Sequence, residues 1–129
     1  KKLLEDIENY SIIWEKNLNL MDKTSKVLNS NFISFLQPTM GLSYVEVNQN
    51  KISKDIEMLN KFIDSNLHYE TNLFYKVIRD KCVKIDFCID ISEIAPPGDN
   101  LFSDPRHHNS KGNKIIAEKI FKEIEKLEN

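Results

Sequence analysis

An aspartate and two adjacent histidines lie close together in the last quarter of this 129-residue chain. Asp104 and His107 are three residues apart, and a turn that enters a helix can bring side chains at that spacing together. A carboxylate that accepts a hydrogen bond from one imidazole nitrogen fixes the tautomer and leaves the other nitrogen free to act as a base. The spacing alone is compatible with the acid and base of a nucleophilic active site. The same residue types are also common in polar loops next to helix caps.

The residues that follow this pair extend the pattern. They read Asp104-x-x-His107-x-Asn109-x-x-Gly112-Asn113, then Ile115-Ile116-Ala117-Glu118. This string resembles the last conserved block of the SGNH (GDSL-type) hydrolases, in which Asp-x-x-His is followed by a small polar residue, a glycine and an apolar-apolar-Ala helix start. Gln37-Pro38, at the end of an apolar segment, is similar to a second feature of bacterial members of that family.

The resemblance implies roles for the polar residues. Asp104 is the expected triad acid and His107 the expected base of a serine ester hydrolase, which transfers an acyl group to water without a cofactor. His108 stands where the family usually has a hydrophobic residue. It remains the alternative base, because a one-residue shift in the turn would exchange the two histidines.

In this family the loops after the strands set the substrate. Here those loops are residues 38–50 and 92–103. Gln37, directly before the first of these loops, and Met40 and Tyr44 within it are predicted to contact the substrate. Relatives hydrolyse sugar O-acetyl groups, lipids and thioesters, so the implied substrate is a small-molecule or carbohydrate ester.

Hydrophobic periodicity and turn residues divide the chain into helices and strands. The predicted elements are helices over residues 1–29, 51–65, 70–82 and 110–127, and strands over 31–36 and 84–90. This alternation is α/β order and predicts parallel strands joined by helical crossovers. The resemblance implies a three-layer, flavodoxin-like parallel sheet of SGNH-hydrolase type. This chain, as a single partial domain over residues 1–129, would supply its C-terminal strands and helices.

The serine that such a pair activates is not found in the sequence. The family nucleophile lies in a Gly-Asp-Ser motif, and an oxyanion-hole residue lies in a Gly-x-Asn-Asp block. The three glycines, Gly41, Gly98 and Gly112, begin neither motif. Because the chain begins with Lys1 and a helical pattern is already running at Leu3, we expect the serine to lie upstream or to have been lost. We therefore expect the chain to be inactive by itself.

Two strands make a small sheet, since sheets usually have about 4 to 6. The apolar strand Phe32–Leu36 would leave unpaired backbone groups at an open edge. We expect an N-terminal half of the fold, or a second copy in a homodimer, to cover that edge.

Composition excludes several classes of protein. The formal net charge is −2 with no basic block, which argues against nucleic-acid binding. No apolar run approaches the roughly 18 residues that a membrane span needs, and no signal-peptide pattern is present, so the sequence leaves localisation open. Cys82 and Cys88 are predicted to be reduced, half-buried thiols, because a disulfide-stabilised scaffold of this length would contain more cysteines.

Three other interpretations remain open at this point. The chain fits a non-catalytic binding or assembly module in which the Asp-His string is a relic. It also fits a metal site built from Asp104, His107 and His108, with Asp99 as a further ligand. The third is an unrelated α/β domain in which the motif matches by chance.

Overall fold

The computed structural model describes residues 2–40, 57–58, 60–61, 65–94 and 100–127. The elements in chain order are helix α1 (Lys2–Val27), strand β1 (Ser34–Leu36), helix α2 (Ser65–Cys82), strand β2 (Cys88–Asp90) and helix α3 (Ser110–Glu125). The predicted mixed α/β character is confirmed, and the described residues are mostly helical. The helix predicted over 51–65 falls largely outside the described residues, which are helical at 57–58 and 60–61.

The two strands pair in parallel, as predicted from the α/β order. Ser34 lies opposite Cys88, and Leu36 lies opposite Asp90. The predicted strand bounds, 31–36 and 84–90, are too long, because each observed strand has three residues. Before β2, the backbone N–H of Ile85 donates to the carbonyl of Cys82, so this stretch forms turns and cannot extend the strand.

Helix α1 ends two residues before the predicted boundary because its last carbonyls are capped by the chain that follows. Asn29 has a φ of 54°, the left-handed conformation that asparagine tolerates better than most residues. The N–H of Ser30 then donates to the carbonyl of Ser25 at 2.9 Å, and that of Asn29 donates to Lys26 at 3.1 Å. This is the Schellman pattern, which ends a helix.

The chain forms two compact units. The first comprises Lys1–Leu36 with Tyr69–Asp90, and the second comprises Gln37–His68 with Ile91–Asn129. The core of the first unit is formed by Leu36, Ile78 and Cys82, with Trp14, Phe74, Tyr75 and Cys88 packed against it. The core of the second unit is formed by Met40, Leu101 and Phe102, with Met58 and Ile115 packed against it. The candidate site belongs to the second unit.

The prediction of two reduced thiols is wrong, because Cys82 and Cys88 form a disulfide. The turns after α2 reverse the chain, so that the last residue of α2 and the first of β2 have their Cα atoms 5.2 Å apart. That separation is within the range that a disulfide spans. Cys82 is fully buried in the core of the first unit.

Within the described ranges, no helix combines the length and the apolar character needed to cross a membrane.

Candidate functional site

The start of α3 supports the candidate site, and its cap is built by Asn109. The Asn109 side-chain oxygen accepts a hydrogen bond from the backbone N–H of Gly112 at 3.0 Å, which is the contact of an N-cap residue. Its side-chain Nδ2 donates to the carbonyl of Asn100 at 2.7 Å. One side chain therefore fixes the helix start and also ties it to the segment that precedes the site.

The loop 102–108 carries the candidate residues and is closed at its base. Phe102 and His108 form an antiparallel bridge, and the N–H of Asn109 donates to the carbonyl of Leu101 at 3.0 Å. Inside the loop, the N–H of Ser103 donates to the carbonyl of His107 at 2.8 Å. Because Leu101 and Phe102 are buried in the core of the second unit, the loop rests on a packed base.

Gly112 allows this base to approach the helix closely. A Cβ atom at position 112 would collide with the carbonyl oxygen of Leu101 and would lie 3.1 Å from the Cβ of His108. The carbonyl belongs to the backbone and cannot move aside as a flexible side chain would. The glycine of the motif is therefore required by the contact between α3 and the loop.

The Asp104 carboxylate contacts the imidazole of His107. Its Oδ2 and Oδ1 atoms lie 2.8 and 3.0 Å from Nδ1 of His107. The backbone N–H groups of Arg106 and His107 also donate to Oδ1, each at 2.9 Å. An ionised carboxylate can only accept, so the neutral imidazole carries its proton on Nδ1. Since the His107 side chain is 79% exposed, its Nε2 atom is accessible to solvent as an acceptor.

Hydrogen bonds keep Asp104 ionised. The backbone N–H of Arg106 has the largest effect in lowering the pKa of the Asp104 carboxyl below its usual value, followed by the His107 side chain. At neutral pH Asp104 is therefore a carboxylate, which can accept a hydrogen bond from Nδ1 of His107 and orient the ring.

His108 differs from its neighbour in burial and in contacts. Its ring packs on Phe102 with the ring centroids 4.6 Å apart. Its Nε2 atom is buried and finds no hydrogen-bond partner among the described residues. Burial lowers the pKa of His108 below its ordinary value, and the charge of nearby His107 lowers it further. Asp104 thus pairs with His107, while His108 packs with its ring against the base of the loop.

The segment that follows β1 in the sequence fixes the tip of the loop. The carbonyl of Pro105 accepts hydrogen bonds from the Thr39 hydroxyl and from the Met40 backbone N–H, both at 3.2 Å. Pro105 lies between Asp104 and His107 in the chain. No local sequence pattern predicts this role of Thr39, whose only signal is its position directly after Gln37-Pro38.

The predicted substrate-contacting residues differ in their surroundings. Gln37 is exposed. Met40 is 3% exposed, and its side chain packs in the core with Leu101 and Phe102. Tyr44 lies outside the described residues. A contact of any of them with substrate stays a prediction.

The described part of the chain contains no cluster of three or more His, Cys, Asp or Glu side chains arranged to hold a metal ion. Asp104 and His107 are hydrogen-bonded to each other. Asp99, the further ligand considered for a metal site, lies outside the described residues.

The class of this protein has to be inferred from its own residues and their geometry. No protein-family model, no curated protein and no solved structure matches the chain.

Proposed function

We propose that this chain carries the acid and base of a serine ester hydrolase of the SGNH type, with Asp104 as the acid and His107 as the base. One observation carries the proposal: the Asp104 carboxylate holds Nδ1 of an exposed His107 at 2.8 Å. The Asp-x-x-His spacing, the Asn109 cap and the close contact at Gly112 support it, because together they present the pair at the start of a helix.

The proposed reaction is acyl transfer from an ester to water. His107 Nε2 takes the proton of a serine hydroxyl as the serine oxygen attacks the ester carbonyl. Asp104 stabilises the imidazolium that forms. His107 then gives the proton to the leaving alcohol, and a water molecule repeats the sequence on the acyl-enzyme. The serine and the oxyanion donors come from outside these 129 residues, and acylated carbohydrates are among the candidate substrates.

The proposed architecture is the three-layer, flavodoxin-like sheet of these hydrolases, to which this chain contributes C-terminal strands and helices. The α/β order and the parallel pairing of β1 with β2 are compatible with it. The apolar edge strand then requires a covering segment, and in this proposal the covering segment also carries the serine.

The test is the intact mass of the protein isolated from the cells that produce it, before and after reaction with a fluorophosphonate probe. A mass well above 15.1 kDa that gains one probe adduct supports the proposal. Labelling should be slowed strongly by His107→Gln and by Asp104→Asn. Glu118→Gln, an exposed carboxyl change on α3, is the matched control and should label at the original rate. A mass near 15.1 kDa without an adduct would contradict the hydrolase function.

A non-catalytic assembly module is the second candidate, favoured by the apolar side chains on the surface of α1. Tyr10, Ile13, Leu20 and Val27 are all more than half exposed. Their spacing of three and seven residues places them along one face of the helix. Sedimentation over a wide concentration range tests this candidate, since a monomer at every concentration would contradict self-assembly.

A further inference from the structure

We propose that His108 is the positioning residue of the Asp104–His107 pair, and that it acts by packing its ring on Phe102 at the base of the loop 102–108. This inference rests on the proposed function for its catalytic meaning, but the geometry that it describes can be measured without any reaction. It gives the second histidine of the doublet a role that the motif does not assign.

Residue 108 lies at the base of the loop 102–108, where its contacts can fix the position of the Asp104–His107 pair. Phe102 and His108 face each other across the base through their backbone bridge. Their rings are 4.6 Å apart with 36° between the ring planes, within the range of packed aromatic pairs. Phe102 is itself 6% exposed and fixed in the core. The ring of His108 is thereby anchored to a rigid partner.

This anchor is adjacent to the base in the chain. His107 directly precedes His108, and its carbonyl accepts from the Ser103 N–H at 2.8 Å. On the other side, a Cβ at Gly112 would lie 3.1 Å from the Cβ of His108, so α3 packs against the same residue. A displacement of residue 108 must therefore move the backbone of His107 relative to Asp104.

The environment of His108 fits packing better than proton transfer. Its Nε2 atom is buried and has no partner in the described parts of the chain, so that nitrogen cannot reach a substrate in this arrangement. In this arrangement the ring provides a flat packing surface, and its buried Nε2 is not available as a base. An apolar aromatic ring at position 108 should therefore serve the same positioning role as the imidazole.

The measurement is the tautomer of His107, read from long-range ¹H–¹⁵N NMR spectra of the chain at about pH 8.5, where ordinary imidazoles are neutral. Free histidine prefers its proton on Nε2, whereas the Asp104 carboxylate requires it on Nδ1. The ratio of the two forms therefore reports whether the pair is assembled. Asp104→Asn provides the reference for a broken pair.

His108→Phe should keep the Nδ1–H form dominant, since it retains the ring. His108→Ala should lower the ratio of Nδ1–H to Nε2–H about tenfold, the size expected for loss of a hydrogen bond to an ionised carboxylate. Phe102→Leu removes the ring on the other side and should give the same fall. If His108→Ala does not fold, the ratio measured in Phe102→Leu decides the test.

The proposal is overturned if either ring deletion leaves the ratio unchanged in a folded chain, or if His108→Phe lowers it as far as His108→Ala does. These outcomes do not depend on whether the protein is a hydrolase. The tautomer measurement needs neither a serine nor a substrate. The positioning role of His108 can therefore be correct in a chain that never hydrolyses an ester. Conversely, fluorophosphonate labelling can succeed while the ratio fails to respond.

Discussion

The carbonyl of Pro105 accepts hydrogen bonds from both the hydroxyl of Thr39 and the N–H of Met40. Pro105 lies between the members of the Asp104–His107 pair, and 66 residues separate it from Thr39. The loop that presents the pair is therefore held at its tip by a distant segment and at its base by Phe102 and His108. This double attachment is why single substitutions away from the pair should affect it.

The chain by itself should not turn over esters. Its sequence contains no Gly-Asp-Ser motif, so His107 has no serine of that kind to activate. With p-nitrophenyl acetate, we expect no more hydrolysis than the same concentration of free imidazole gives, and no saturation. Saturable turnover that disappears in His107→Ala would contradict this expectation. Equal rates for the unsubstituted chain and His107→Ala would agree with it.

Gly112→Ala should destabilise the second unit. The added Cβ meets the backbone carbonyl of Leu101, and such overpacking costs about 1–3 kcal/mol in the free energy of unfolding. Urea unfolding followed by circular dichroism measures the loss. Lys114→Ala, an exposed change on the same helix, is the control and should stay within about 0.5 kcal/mol of the original chain. Equal midpoints for the two variants would show that the contact is not tight in solution.

Asn109→Ala should cost about 1–2 kcal/mol, because it removes the cap of α3 and the hydrogen bond to Asn100. Asn109→Asp separates the two contributions. Aspartate keeps an oxygen for the Gly112 N–H but cannot donate to the Asn100 carbonyl. The stability of Asn109→Asp should lie between those of the unsubstituted chain and Asn109→Ala. A value equal to that of Asn109→Ala would contradict the role of the cap.

The stability of the fold should decrease in two steps as the pH falls. Burial, and then the charge of His107, lower the pKa of His108 below its ordinary 6.5, so the unfolded chain binds this proton first. The first loss therefore begins as the pH falls below about 6.5 and ends near the lowered pKa of the folded chain. Urea midpoints measured between pH 8 and pH 4 test this step. His108→Phe, which cannot titrate, should flatten it.

The second step belongs to two carboxyls, Glu123 and Asp104. Hydrogen bonds from Lys119 and then Lys126 lower the pKa of Glu123 from 4.5. The N–H of Arg106, and then the His107 side chain, lower the pKa of the Asp104 carboxyl from 3.8. The stability that Asp104 provides is therefore present above about pH 3.8 and is lost as the pH falls through the lowered value. Asp104→Asn should weaken the acid dependence and leave the part that Glu123 contributes, and an unchanged acid profile in that variant would contradict the assignment.

Reduction of the Cys82–Cys88 disulfide should destabilise the first unit by about 2 kcal/mol, the loop-closure contribution for a loop of this length. Urea unfolding with and without a reductant measures the effect. The double variant Cys82→Ala, Cys88→Ala is the control and should not respond to the reductant. Free thiols found in the denatured, unreduced protein would contradict the disulfide itself.

The sequence by itself determined the features that local patterns control. Helical periodicity and the apolar segment before Gln37 predicted the α/β order, and the Asp-x-x-His spacing predicted that Asp104 and His107 would meet. Each of these depends on residues within a few positions of one another, where backbone geometry leaves few arrangements.

Only the tertiary structure decided the rest, because it depends on residues far apart in the chain. The turns before β2 shortened that strand and brought Cys82 to Cys88, which the cysteine count did not predict. Packing on Phe102 gave His108 a different environment from His107, although the two are adjacent residues of the same type. The attachment of Pro105 to Thr39 joins segments that no local pattern relates.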